Sequence, residues 1–123
     1  MNEQLSFEDF APSELELTEA RRILNCGLAD YLGVGPDKAI TTKRLAERLF
    51  TNERAVTLAV YDARRAGLPI CSGQDGFFLP RHEHDVSVCC DGLLNRAAEI
   101  RGSADAVRAG WDAGWRPQEA KGD

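Results

Sequence analysis

Between Thr41 and Leu79 the chain is punctuated at every turn, leaving room for little except two short helices followed by a hairpin. Thr41 or Thr42 offers a hydroxyl to the free amides of a helix start, and Leu45, Ala46 and Leu49 supply one apolar side behind it. Phe50-Thr51 breaks that helix. Asn52 is an N-cap for a second helix, Glu53 to about Ala66, with Val56, Val60 and Ala63 inward and Gly67 as its stop. Two β-prone runs, Leu68–Ser72 and Phe77–Pro80, then flank the turn Gly73-Gln74-Asp75-Gly76, which is a hairpin signal. Ala39–Thr41 is too short to be more than a stub of strand.

The flanks are helical. Ser13 with Glu16 has the spacing of a capping box, and Ala20, Ile23, Leu24, Leu28, Tyr31 and Leu32 recur at helical intervals as far as about Gly33. The stretch VGPDK that follows reads as a loop. After Pro80 a long helix is expected from about Glu83 to Ala109. Its Val86, Cys90, Leu93, Ala97, Ile100, Ala104 and Val107 alternate in steps of 4 and 3, a heptad seam. The organisation predicted is an acidic tail at 1–12, a folded domain at 13–81, a long helix at 82–109 and a fraying tail at 110–123 that carries Trp111 and Trp115.

A chain of 123 residues suits one domain, and 43% hydrophobic against 28% charged residues excludes a disordered or membrane-embedded class. No apolar run approaches the roughly 20 residues needed to span a bilayer. The start, MNEQLSFEDF, has no basic leader, so a cytoplasmic protein with reduced Cys26, Cys71, Cys89 and Cys90 is expected. The net charge of −5 conceals its distribution: residues 1–37 carry net −6, residues 38–81 net +4 and residues 82–123 net −3. A basic island lies between acidic flanks, and a polyanion responds to the local field.

Catalysis is not expected, because no nucleophile elbow, phosphate loop or zinc-protease motif is present. His82, His84, Cys89 and Cys90 lack the spacing of paired zinc ligands, and Cys90 falls on the apolar seam with Cys89 beside it, so neither metal nor cofactor is expected.

Taken in order, Leu45-Ala46, the Val56, Val60, Ala63, Gly67 spacing and the GLPICS…DGFFL segment resemble a winged helix-turn-helix of the biotin-repressor N-terminal type. With the long helix behind the wing, the pattern is also similar to small phage-encoded winged-helix proteins. The fold the resemblance implies is mostly α (α+β), with a two-stranded wing and a long C-terminal helix. Its implied function is binding of double-stranded DNA by a phage or bacterial transcriptional regulator.

The resemblance places Asn52, Glu53, Arg54, Thr57, Leu58 and Tyr61 on the side of the second helix that faces bases and phosphates. Arg54 would reach guanine O6 and N7, while Lys43 and Arg44 on the preceding helix would hold phosphates. Gln74 lies at the wing tip, where no cation is present, and Arg81 just beyond the second wing strand would compensate. Two alternatives share these residues: a DNA-packaging or replication factor using the motif in an oligomer, and a protein-interaction module without DNA binding. The seam at 86–107 either joins a homodimer or folds back to complete the monomer core.

Overall fold

In the computed structural model, which describes residues 11–118, Ser13 opens the first helix as its spacing predicts. Its hydroxyl accepts from the Glu16 amide (3.1 Å) and its own amide donates to Glu16 Oε1 (2.9 Å). This capping box satisfies two of the orphan donors of the helix start. Helix α1 is Glu14–Asn25 and buries Ala20 and Ile23. It ends well short of Gly33. Gly27 takes φ +81, a left-handed backbone that leaves the helix, and a 3-10 turn at Leu28–Tyr31 carries Leu28 into the core instead.

Thr41 caps α2 (Thr42–Arg48) by accepting from the Arg44 amide at 3.2 Å, and Asn52 caps α3 (Glu53–Arg65) by accepting from the Ala55 amide at 2.8 Å. Between them Phe50 sits at φ +56, the one described non-glycine residue with positive φ. The Thr51 amide reaches back to the Ala46 carbonyl at 2.9 Å, so Phe50 occupies the left-handed position after a helix that glycine usually fills.

Strands β1 (Cys71–Gly73) and β2 (Gly76–Phe78) pair antiparallel, with Cys71 opposite Phe78 and Gly73 opposite Gly76. The stub expected at Ala39–Thr41 is a single antiparallel bridge from Ile40 to Phe77, closed by hydrogen bonds of 2.9 and 2.8 Å. Gly76 (φ +121) is required here, since any Cβ would collide with the Ile40 carbonyl. Helix α4 then runs Glu83–Asp112. It is longer than the sequence suggests at its C-terminal end, so Gly110 to Asp112 are helical rather than frayed; the tail residues 1–10 and 119–123 lie outside the described part.

The described residues are therefore mostly helical with a small antiparallel sheet, an α+β fold, and none of the helices is long and apolar enough to cross a membrane. The chain divides into two compact units, Met1–Cys89 and Cys90–Asp123. The first holds one core, in which Ile23, Leu28, Leu45 and Val56 are the largest fully enclosed side chains. The second is the remainder of α4 and the segment after it. Among the buried residues of α4 are Asp85 and Cys89, in its first two turns; the seam residue Cys90 is exposed. Cys89 is the inward thiol because it accepts from the Ser72 amide at 3.3 Å, close beside Cys71.

Candidate nucleic-acid interface

Helix α3 packs against both α1 and α2, and this decides which of its side chains remain outside. Two neighbours require a broader apolar face than one stripe. Ala55, Leu58 and Ala59 are accordingly buried along with the expected Val56, Val60 and Ala63. Leu58, expected at the DNA-facing side, is only 3% exposed and belongs to the core. That expectation is corrected: a spacing of 4 and 3 marks one inward stripe and is blind to a second neighbour.

The remaining outward residues of α3 are largely engaged with the protein itself. The Arg54 guanidinium donates to Glu16 Oε2 on α1 and forms an ion pair with it. Glu16 thus serves the cap and this pair together, and the Ser13 amide and Arg54 hold its carboxyl below the usual carboxylate range. Thr57 returns its hydroxyl to the Glu53 carbonyl at 3.0 Å. Tyr61 accepts from Arg65 at 2.5 Å, with the guanidinium 4.3 Å from its ring centre. Arg64 turns toward the hairpin, donating to the Ile70 carbonyl at 2.8 Å and to Ser72 Oγ at 3.2 Å. Glu53 and Asn52 are exposed, the latter with its side-chain oxygen committed to the cap.

At the hairpin Gln74 is exposed at the turn. Arg81, expected to compensate for the cation missing at the turn, is engaged within the fold. Its guanidinium donates to the Val34 carbonyl (3.0 Å) and to Asp37 (2.8 Å), tying the loop before α2 to the end of the hairpin. Arg81 keeps the Asp37 carboxyl below its ordinary range. The Arg81 amide donates to buried Asp85 at 2.9 Å, which likewise favours the ionised carboxylate.

Four of the cations without an ion pair among the described residues, Lys38, Lys43, Arg44 and Arg48, lie on or beside α2. Lys43 and Arg44 are exposed as expected, and Arg44 and Arg48, four residues apart, share one face of the helix. An open cleft of 490 Å³ runs beside that face, lined by Tyr31, Gly33, Lys38, Ala39, Ile40, Thr41, Arg44 and Arg48. Three cations, one phenol and one threonine hydroxyl line it with no carboxylate, a chemistry suited to an anion with several oxygens. Lys38 and Arg48 were absent from the residues assigned above. The Arg44–Arg48 spacing was visible in the sequence, whereas Lys38 joins them only through the turn at Pro36–Lys38. Glu47 is the lone carboxylate on α2.

Two thiols, Cys71 and Cys89, lie together at β1. Cys71 is buried and donates toward the Asp85 carbonyl at 3.8 Å, and burial pushes its pKa up to about 11. Among the described residues no group of three or more histidines, cysteines and carboxylates is placed to hold a metal ion.

No protein-family model, no curated protein and no solved structure matches this chain.

Proposed function

We propose that the chain binds double-stranded DNA as a winged helix-turn-helix protein, with α2 and α3 as the helix pair, β1–β2 as the wing, and two copies joined through residues 86–107. The observation that carries this reading is the clustering of Lys38, Lys43, Arg44 and Arg48 on and beside α2, with no ion pair to any described carboxylate. Exposed cations without protein partners strengthen binding by displacing the counterions condensed on DNA. In this reading the α2 face grips phosphates, and Thr57 and Tyr61 on α3 approach the bases. Arg54 takes part only by exchanging Glu16 for a base or phosphate.

Electrophoretic shift of a duplex across a salt series tests it. Log affinity is expected to fall linearly with log salt, and replacing Arg44 and Arg48 by alanine is expected to lower the slope by about 2. Duplex binding that is undetectable at low salt, or a slope unchanged by the double substitution, overturns the reading.

One observation favours a second reading, a protein-contact module. Phe50 is 92% exposed in a backbone conformation that disfavours a bulky side chain. An exposed aromatic retained at a strained turn is the kind of anchor a protein partner buries.

A further inference from the structure

Within the second unit, α4 presents an exposed apolar face whose two rows differ in size. Leu93, Ile100 and Val107 form a large row, with Ile100 54% and Val107 74% exposed. Cys90, Ala97 and Ala104 form a small row beside it, also exposed. The segment from 90 to 107 is about 26 Å long at the α-helical rise. Leu93 is partly buried whereas Ile100 and Val107 are exposed, and the seam has the 4–3 period by which helices pair. The flanking charges are of one sign: Arg96 and Arg101 border the seam on opposite sides.

These features discriminate between the two ways a second copy can lie on this face. In a parallel, in-register pair the small row meets itself, so Ala97 faces Ala97 and Ala104 faces Ala104 across underfilled layers. The same arrangement sets Arg96 of one chain against Arg101 of the other, where like charges repel. Reversing one chain removes both conflicts. Cys90 then faces Val107, Leu93 faces Ala104, and Ala97 faces Ile100, each layer twice over. Every large side chain fills the space left by a small one, as close packing demands. Arg96 now meets Ser103, and Arg101 lays its aliphatic stem on Leu94.

We propose that Cys90–Val107 pairs antiparallel with the same segment of a second copy, with Ile100 of each chain against Ala97 of the other. This rests on the reading that residues 86–107 join two copies, and adds direction and register to it.

Disulfide trapping tests direction, and light scattering tests pairing. In the Cys26→Ser chain, which retains Cys90 as its exposed thiol, Cys90 lies about 26 Å from its counterpart in the antiparallel pair. Oxidised glutathione is therefore expected to yield no covalent dimer. Adding Val107→Cys is expected to make covalent dimer the main product, and adding Cys90→Ser to that chain is expected to abolish it. A covalent dimer formed through Cys90 alone, or one that survives Cys90→Ser in the Val107→Cys chain, overturns the antiparallel register while pairing stands. A dimer by light scattering that traps in none of these chains places the interface elsewhere and overturns the proposal. A monomer at about 100 μM overturns pairing and direction together.

Discussion

The arginines of α3 and the cations of α2 lie within one short stretch of sequence and behave in opposite ways. On α3, Arg54 is paired with Glu16, Arg64 holds the hairpin, and Arg65 stacks on Tyr61. On α2, Lys43, Arg44 and Arg48 make no ion pair among the described residues. The difference follows from position in the fold. Helix α3 packs on α1 and leads into the hairpin, so Arg54 finds Glu16 and Arg64 finds Ile70 and Ser72, whereas the Arg44–Arg48 face of α2 looks onto an open cleft. A basic helix is thus a binding surface only where the fold has left its charges unused.

The largest test of this contrast is in the core. Leu58→Ala is expected to cost about 3 kcal/mol, measured as a lowered urea midpoint, because the side chain is buried on the second packed side of α3. A change within about 0.5 kcal/mol would return Leu58 to the surface and α3 to a helix with one neighbour. Next comes Arg64→Ala, expected to cost about 2 kcal/mol, because a charged donor leaves a carbonyl and a hydroxyl unserved between helix and hairpin. If that variant kept wild-type stability and lost DNA affinity instead, Arg64 would belong with the α2 cations.

The local signals of the fold were legible in the sequence, and the partners were not. Ser13 with Glu16, Thr41, Asn52 and Gly67 act within three or four residues of themselves, and each does in the structure what its chemistry implies. Gly27 was visible too, but a glycine within a periodic stretch reads equally as a tolerated interruption; the left-handed φ that ends α1 is a backbone fact. The Arg54–Glu16 pair spans 38 residues and the Arg81–Asp37 pair 44, and no spacing rule reaches so far. The residues proposed for DNA were therefore found by type, while their availability depended on contacts that only folding defines.

Two smaller effects sharpen the comparison at the edges of these helices. Phe50→Gly is expected to raise stability by about 1 kcal/mol in thermal or urea unfolding, since glycine occupies the left-handed position without steric cost. A loss would mean that the Phe50 ring contributes packing to the folded chain. Smaller again is the effect of acid on the α1 pairs, which solvent screens. Arg22 holds Glu19 in a two-pronged pair at 3.0 and 2.7 Å, lowering its carboxyl to about 2 from 4.5. A depressed carboxylate stabilises the fold above its unfolded value and loses that contribution as pH falls through the folded one. The thermal midpoint is expected to hold near neutrality and decline between about pH 4.5 and 2, and Glu19→Gln to make that decline shallower.

The smallest stability effect is expected where the functional effect is greatest. Arg44→Ala and Arg48→Ala each remove a side chain that, among the described residues, serves no ion pair, so each should leave the unfolding free energy within about 0.5 kcal/mol. Each should also flatten the salt dependence of duplex binding by about one unit of slope, because one phosphate contact and its released counterion are lost. Urea unfolding and a salt titration on the same preparation measure the two together. Stability loss without a change of slope would make the α2 arginines structural, like those of α3, and erase the contrast between the helices. A change of slope at constant stability would locate the DNA-facing charge on α2 and leave α3 to approach the bases through Thr57 and Tyr61.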